Sequence, residues 1–220
     1  MGDVITRGFK SVIARKNAVA AKSFAYNATV SVNTTGTETS HAFTLESGAF
    51  YAGLVMMRGG GVPTGVTTDQ ADTVTDRGTL TGGGDSSNAM GFEFTASATS
   101  TSILVASAST SEYRTVALWK VSGYSYQDSV SDTAASGANS TLNGSMNSAS
   151  GDVALGLAVW NSNSGTVTVA NGLDTVDSDT VATRKLGACS NGNVTGATPE
   201  SFSIKLGGWK AGGALFLLYR

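Results

Sequence analysis

Short runs in which every second residue is hydrophobic dominate the chain from residue 27 to its end. The clearest runs span residues 153–159 and 202–206. Alternation with a period of two places one set of side chains on one face of a β-strand. Because the residues between them are small or polar, we expect each of these strands to bury one face and to leave the other open.

The same alternation predicts strands along the rest of this region, while two stretches lack a clear pattern. We expect residues 59–89 to form a surface excursion with a strand or two in it, and residues 139–150 to form a loop or a weak edge strand. The predicted strands are residues 28–33, 42–45, 50–57, 91–95, 102–106, 115–121, 125–130, 153–160, 166–170, 180–186, 201–206 and 214–219.

Glycine and asparagine mark the turns between these strands. The chain holds 28 glycines and only 2 prolines among its 220 residues, and Gly and Asn are preferred in tight hairpin turns. Strands at this spacing indicate an all-β fold, an antiparallel β-sandwich. No internal repeat of fixed period stands out, and we expect residues 27–220 to form a single sandwich domain. Turns are predicted at residues 58–61, 81–85, 143–144, 171–172 and 191–192.

Residues 1–26 differ from the rest and are predicted to form an N-terminal arm. Their hydrophobic residues are irregularly spaced, which fits either a short helix or an extended segment. Residues 1–22 carry five basic residues against one acid, Asp3, although the whole chain has a net charge of −2. A basic arm on an acidic body is the main charge asymmetry of the sequence.

Three segments of the chain resemble virion structural proteins of tailed bacteriophages and prophages that are built on a β-sandwich. The first is EYRTVALWKVSGYS, followed by a spacer rich in Ser, Ala and Asn. The second is SASGDVALGLAVWNSNSG, in which Ser-Gly-Asp precedes a hydrophobic strand, and the third is the closing SFSIKLGGWKAGGALFLLYR. The resemblance covers residues 90–220, and ITRGFKSVIARK near the start is similar to the docking arms of such proteins.

This resemblance implies a jelly-roll-like sandwich that acts by assembly rather than by catalysis. The implied location is the virion, after synthesis in the host cytoplasm, as a head decoration, spike or fibre-base component. The implied partners are capsid or tail subunits and further copies of the chain, and trimers are common among such proteins. No apolar stretch is long enough to span a bilayer, so we expect no membrane association.

The arm supplies the residues that such assembly requires. Apolar side chains interleaved with cations suit a groove on a neighbouring acidic subunit, in which the apolar groups dock and the cations steer. Packing of the arm on its own domain is one alternative, and contact with nucleic acid phosphates is a less favoured one because the charge is modest. The expected docking residues are Arg7, Phe9, Lys10, Val12, Ile13, Arg15 and Lys16.

Residue types that carry catalysis or bind transition metals are scarce. The chain has one histidine, His41, and one cysteine, Cys189, which excludes an ordinary zinc site and an internal disulfide. We expect His41 at the surface or at a strand edge, and Cys189 buried or in a loop. No glycine-rich phosphate loop with a lysine is present. We therefore expect neither catalytic residues nor a cofactor.

One short acidic stretch is a weak candidate for calcium. Calcium takes six to eight oxygen ligands from flexible loops, and three carboxylates lie close together in this stretch. The spacing of an EF-hand is absent, and a solvated turn is the favoured alternative. The carboxylates are those of Asp174, Asp177 and Asp179.

Three tryptophans raise a second functional hypothesis. Exposed indole rings among polar neighbours could stack on sugars, which would make the chain a receptor- or polysaccharide-binding module of a tail or head fibre, with a host surface glycan as its partner. Burial in the core or at an interface is the alternative, because a sandwich of this size needs large apolar side chains. The tryptophans are Trp119, Trp160 and Trp209.

Overall fold

The described part of the chain is all-β. A computed structural model describes residues 21–33, 36–59, 61–82, 87–110, 113–135, 141–162, 165–170, 173–178, 180–181, 184–191, 194–207 and 211–220. All strand pairings among these residues are antiparallel. None of these residues belongs to a helix long and apolar enough to cross a membrane.

The strands follow one another with short connections. In chain order they are β1 (Ser23–Val32), β2 (Glu38–Thr44), β3 (Phe50–Arg58), β4 (Pro63–Thr68), β5 (Thr75–Leu80), β6 (Asn88–Thr95), β7 (Ser100–Ser107), β8 (Tyr113–Ser122), β9 (Tyr126–Ala134), β10 (Thr141–Met146), β11 (Val153–Trp160), β12 (Val167–Ala170), β13 (Asp174–Asp177), β14 (Thr180–Val181), β15 (Arg184–Asn191), β16 (Glu200–Leu206) and β17 (Gly212–Tyr219).

Four sheets are formed from these strands. Sheet A has the order β1-β8-β3-β6-β5, and sheet B has the order β2-β7-β4. Sheet C has the order β13-β15-β11-β17-β9, with β14 paired to β15, and sheet D has the order β10-β16-β12. Sheets A and B use only strands β1 to β8, and sheets C and D use only strands β9 to β17, so each half of the chain forms its own sandwich.

The sheets are stacked as four layers in the order B, A, C, D. One apolar cluster joins sheets A and B and includes Phe92 and Ile103. A second joins sheets A and C and includes Leu54 and Leu157. A third joins sheets C and D and includes Phe216. The described strands therefore form two sandwiches packed into one body, rather than the single sandwich expected over residues 27–220. Strand β1 also starts before residue 27.

The central strands of the inner sheets A and C are buried on both faces. Strands β11 and β17 are buried at every residue. For β11 this overturns the expectation of one open face, because sheet D covers the face that carries its small residues. The expectation holds for β16, where Phe202 is buried and Ser201 and Lys205 are exposed. A strand of an outer sheet keeps one open face, whereas a central strand of an inner sheet has none; the edge strands β5 and β9 stay partly exposed.

The two sandwiches repeat the same strand order. When β9, β17, β11, β15 and β13 are matched with β1, β8, β3, β6 and β5, sheet C reproduces the order of sheet A. When β10, β16 and β12 are matched with β2, β7 and β4, sheet D reproduces sheet B. The sequence showed no fixed-period repeat because loop lengths and side chains differ between the halves, while their topology is the same.

The halves contact each other through equivalent surfaces. Strand β3 contacts its counterpart β11, and β5 contacts β9. On the opposite side, Tyr26 of β1 donates a hydrogen bond to Asp177 of β13. Since β1 corresponds to β9 and β13 to β5, exchanging the halves reproduces these contacts. The arrangement is only partly symmetric, because β17 also contacts β5 and β6, whereas the equivalent strand β8 makes no comparable contact with β13 or β15.

A bulge lets β1 serve two layers. Phe24 and Tyr26 pack against the core between sheets A and C, whereas Ala28 and Val30 pack against the core between sheets A and B. All four positions would share one face of a regular strand. The register shifts between Tyr26 and Ala28, and an extra residue at this point turns the following side chains to the other face.

Several boundaries differ from the sequence-based expectation. Strands β4 and β5 account for the strand or two expected within residues 59–89, and β10 is the weak edge strand that was one alternative for residues 139–150. Strand β13 was not predicted, because it is short and rich in Asp and Thr. Residues 180–186, predicted as one strand, contribute to two antiparallel strands, β14 and β15. The predicted Asn143-Gly144 turn is wrong, since both residues lie inside β10. A Cβ on Gly144 would lie 2.7 Å from Val130 Cγ1, so the glycine provides space rather than a turn.

Equivalent glycines at the centres of sheets A and C give the sharpest test of this packing. Gly53 of β3 lies opposite Phe92 and Leu118, and Gly156 of β11 lies opposite Cys189 and Phe216. A Cβ on Gly156 would lie 2.7 Å from Cys189 Sγ and 2.8 Å from Phe216 Cδ1. Each glycine therefore makes room for an aromatic ring between an inner and an outer sheet.

We predict that Gly156→Ala lowers the free energy of unfolding by about 1–3 kcal/mol, the usual cost of overpacking a core. Chemical denaturation of the full chain measures this change. Gly65→Ala is the matched control, because a Cβ at this position would have no atom within 4 Å apart from its chain neighbours. Equal stability of the two variants would contradict the packing described for β11.

Candidate functional site

The two tryptophans of the predicted patch that the structure describes are not on the surface. Trp119 packs between sheets A and C and Trp160 between sheets C and D, and both have 0% of their surface exposed. A sugar cannot stack on a ring that has no accessible face, so these two residues follow the alternative of core burial. Trp209 lies outside the described residues.

Other predicted residues fall partly or wholly outside the described chain. The docking residues of the arm, from Arg7 to Lys16, all precede its first residue, Ala21. Asp179 of the calcium candidate is also outside. Asp174 and Asp177 lie on β13, where Asp177 accepts a hydrogen bond of 2.9 Å from Tyr26. Among the residues that the structure describes, no group of three His, Cys, Asp or Glu side chains could hold a metal ion.

His41 was expected at the surface or at a strand edge; it lies on an edge strand but is buried. It lies on the edge strand β2 and has 0% of its surface exposed. Its Nδ1 is 3.1 Å from the carbonyl oxygen of Val30; since a carbonyl only accepts, Nδ1 carries the proton. Nε2 then accepts from the hydroxyl of Thr39 at 3.0 Å. Burial, opposed in part by the Val30 bond, lowers the pKa of His41 to about 4.

A hydroxyl next to a histidine nitrogen is also the start of a nucleophile–base pair, but this pair lacks access and an orienting acid. Thr39 is buried together with His41, and the second ring nitrogen meets a backbone carbonyl. Substrate cannot reach a hydroxyl in the core between two sheets. The pair therefore serves the packing of β2 against β1.

Arg114 extends this cluster and is the largest fully buried cation among the described residues. Its guanidinium on β8 has 0% of its surface exposed and donates to Thr39 Oγ1 at 3.1 Å and Val105 O at 3.0 Å. It also donates to Ser107 Oγ at 2.9 Å and to Gly36 O. Burial lowers the pKa of Arg114. Because its partners lie on β2, on β7 and before β2, Arg114 fastens sheet A to sheet B.

Cys189 is buried, which was one of the two placements predicted for it. It lies on β15 in the core between sheets C and D, and burial raises the pKa of its thiol to about 12. A reactive cysteine needs a lowered pKa and access to solvent. Cys189 has neither, and its small side chain faces Gly156 across the sheet.

A second buried polar cluster joins the two sandwiches. Glu93 of β6 is bound by Arg77 of β5 and accepts from the hydroxyl of Tyr219 of β17 at 3.2 Å. The Arg77 guanidinium lies 4.8 Å from the ring centroid of Tyr126 on β9. Burial and the Glu93 carboxylate raise the pKa of Tyr219. The carboxylate thus holds strands of both halves together at the edge of the core between sheets A and C.

Glu200 is a further buried carboxylate and anchors a loop. Burial alone would raise its pKa, but hydrogen bonds lower the pKa of Glu200 below its usual value. They come from the hydroxyl of Ser148 at 2.6 Å, the hydroxyl of Thr195 at 3.1 Å and the backbone of Gly196 at 3.1 Å. A carboxylate surrounded by donors of its own chain has no acceptor sites left for a ligand.

Among the described residues, a surface cavity presents open polar groups. It has a volume of about 480 Å³ and lies where β1 begins, β8 ends and the loop between β2 and β3 passes. An ion pair between Lys120 and Glu46 lies on its wall. The remaining lining residues are Ser23, Ser47, Gly48, Ala49, Phe50, Val121, Ser122, Gly123 and Tyr124.

Few signals in the sequence point to these groups. Arg114 and Glu93 are charged residues in strands that are otherwise mostly hydrophobic. This pattern indicates a polar side chain that faces a core. The partners of each residue lie on other segments of the chain, so the spacing of residues along the sequence could not predict which side chains pair. The cavity combines three segments that are separated in the chain, and no local pattern connects them.

The stability of the protein is predicted to depend on pH through His41. Its pKa is lowered to about 4 in the fold from about 6.5 in an unfolded chain, so the unfolded chain binds the extra proton first. Stability contributed by neutral His41 is fully present above pH 6.5 and is lost as the pH falls toward 4, by roughly 2–3 kcal/mol. Unfolding curves of the wild type and of His41→Gln, measured at a series of pH values, isolate the contribution of His41 to the free energy of unfolding. Parallel loss in both proteins would show that His41 is not a buried neutral group.

Removal of the Arg77 cation, which binds Glu93 between the two sandwiches, is predicted to lower the free energy of unfolding more than removal of a surface cation. Arg77→Met leaves the buried Glu93 without its ion partner and should cost about 1–3 kcal/mol, less than a fully buried pair because Arg77 is partly exposed. Lys120→Met breaks the exposed pair with Glu46 and should change the free energy of unfolding little, because exposed ion pairs are screened by solvent. Denaturant unfolding measures both, and the reverse order would contradict the role given to Glu93.

Comparison with known proteins adds no relative to this description. No protein-family model, curated protein or solved structure matches the chain. Function must therefore be inferred from the described residues: three buried polar clusters join strands, sheets and loops, and one surface cavity presents hydroxyl, carboxylate and ammonium groups.

Proposed function

We propose that the protein is a structural component of a tailed-bacteriophage particle, which acts by assembly through its N-terminal arm. The observation that carries this proposal is the stack of two equivalent sandwiches in one chain. Their buried ionic groups, Arg114, Glu93 and Glu200, contact strands and loops of the same chain. A block of this kind supplies rigidity and surface, which are the properties that a particle component needs.

The strand order supports the finer proposal of a jelly-roll fold for each half. In a jelly roll, eight strands form two facing sheets with the orders 1-8-3-6 and 2-7-4-5. Sheets A and B follow this order except that β5 pairs with β6 instead of β4. Sheets C and D show the same order and the same departure. Double Greek-key sandwiches of this type are common in viral capsid proteins.

The arm is the proposed connection to neighbouring subunits. It precedes β1, which lies at the edge of sheet A. Its cations would be steered toward an acidic neighbour and its apolar residues would dock there; a further copy of the chain, or a capsid or tail subunit, is the proposed neighbour. The acidic body of another copy, outside residues 1–22, has the complementary charge.

Deletion of residues 1–20 is predicted to leave the folded body intact and to prevent its incorporation into particles. The cut retains Lys22, which lies over the ring of Tyr124, and the whole of β1. The copy number of the chain in purified particles measures incorporation, and thermal unfolding of the isolated protein checks the body.

A charge variant separates docking by the arm from mere loss of chain length. Replacing Arg7, Lys10, Arg15 and Lys16 with Gln should also reduce incorporation, whereas Lys205→Gln, which changes an exposed cation of sheet D, should not. Normal copy number of the deleted protein in particles would refute the proposed role of the arm.

A further inference from the structure

His41 lies in a buried chain of hydrogen bonds that crosses from sheet A to sheet B and back. Arg114 of β8 donates to the hydroxyl of Thr39 on β2 at 3.1 Å, and this hydroxyl donates to Nε2 of His41 at 3.0 Å. His41 in turn donates from Nδ1 to the carbonyl oxygen of Val30 on β1 at 3.1 Å. Neutral His41 and Thr39 each accept one bond and donate one, so together they fasten β2 to both β8 and β1.

Protonation of His41 breaks this chain of hydrogen bonds at its centre. Nε2 of an imidazolium donates instead of accepting, so the Thr39 oxygen would face N–H donors of both His41 and Arg114. The hydroxyl proton of Thr39 would then need another acceptor, although Thr39 and His41 are both buried. Because a buried polar group without a partner is costly, a proton on Nε2 favours a conformation in which β2 has moved away from sheet A.

The charges on the strands around His41 do not offset a second buried cation. Strands β1, β4 and β7 carry no charged residue, and the only carboxylate of β2 is the exposed Glu38. On β8, Arg114 already places a positive charge beside the cluster, and Lys120 lies near the opposite end of the strand. Arg58, at the end of β3, is a further cation of sheet A. An imidazolium would therefore meet a guanidinium in the core, and charges of the same sign repel each other.

Strand β2 has few other attachments to the body. It pairs only with β7, and Phe43 is its only residue in the apolar cluster between sheets A and B. No residue of β2 belongs to the cluster between sheets A and C. Its counterpart β10 has no titratable side chain and buries Leu142 and Met146. Weakly attached edges open locally at a lower free energy than the whole fold, so loss of the His41 bonds acts first on β2.

We propose that β2 is an acid-sensitive latch of the first sandwich: protonation of His41 releases β2 from β1 and β8, while the second sandwich stays closed. Burial lowers the pKa of His41 to about 4, compared with about 6.5 where the ring is open to water. The closed latch is therefore fully favoured above pH 6.5 and loses this advantage as the pH falls toward 4. The latch depends only on the described residues and not on the proposed role of the arm.

Amide hydrogen exchange of the full-length protein, followed by NMR and expressed as protection factors, tests the latch. Between pH 7 and pH 4, protection of the β2 amides should fall on the order of a hundredfold, because His41 takes up its proton more readily in the open form. The amides of β10 are the internal control, and their protection should change little over the same range. Equal loss of protection in β2 and β10 would indicate opening of the whole body and would overturn the proposal.

His41→Gln is the matched variant, because a glutamine amide can donate to Val30 and accept from Thr39 but does not titrate. Its β2 amides should keep their protection at pH 4, and a loss as large as in the wild type would assign the trigger to another group and refute the latch. The ring signals of His41 in the wild type report its protonation without any substitution. Protonation of His41 near pH 4 with unchanged protection of β2 would equally refute the latch.

Discussion

The apolar contact between sheets A and C is the interaction on which the rest of the structure depends. It packs the inner sheets of two sandwiches face to face, with Leu54 and Trp119 on one side and Leu157 and Leu217 on the other. Because sheets B and D cover the opposite faces, strands such as β11 and β17 have no side open to water. Each large apolar side chain buried in this way contributes about 1.5–3 kcal/mol, and separating the sheets would expose them.

Because the central strands of sheets A and C are buried on both faces, small and charged residues are restricted to particular positions in them. Gly53 and Gly156 occupy equivalent central positions because an aromatic ring must lie over the strand. Charged groups survive inside only where several partners surround them, as four neutral acceptors do for Arg114. An unpaired polar group in such a core would be costly. The buried charges of Arg114 and Glu93 are therefore structural in the fold.

The sequence predicted the fold class and the strands with strong alternation, but not their layering. Strand β16 was correctly assigned one buried face because serine and lysine alternate with its apolar residues. Strand β11 was not, because alanine and glycine between its large residues look like an open face and are in fact a closely packed one. Strand β5 was expected only as part of a weakly patterned excursion, and β13 was not recognised, since both form sheet edges and carry few apolar residues.

The candidate site was even less accessible to sequence reasoning. The docking residues of the arm and Trp209 lie outside the described residues, so their predicted roles remain predictions. Burial of His41 depends on the fold around it: β1 supplies a carbonyl and β2 a hydroxyl, and Arg114 from β8 completes the cluster. The cavity that includes Glu46 and Lys120 joins a loop to two strand ends. Its polar residues are ordinary in the sequence, and no local pattern predicts their assembly.

The proposed assembly role is best tested by a reconstruction of tailed-phage particles assembled in the presence of this chain. We expect density for the four-layer body on the particle, with the segment before β1 continuing into a groove of a neighbouring subunit. Particles that lack this density, or a body whose first residues fold back onto its own sheets, would contradict it.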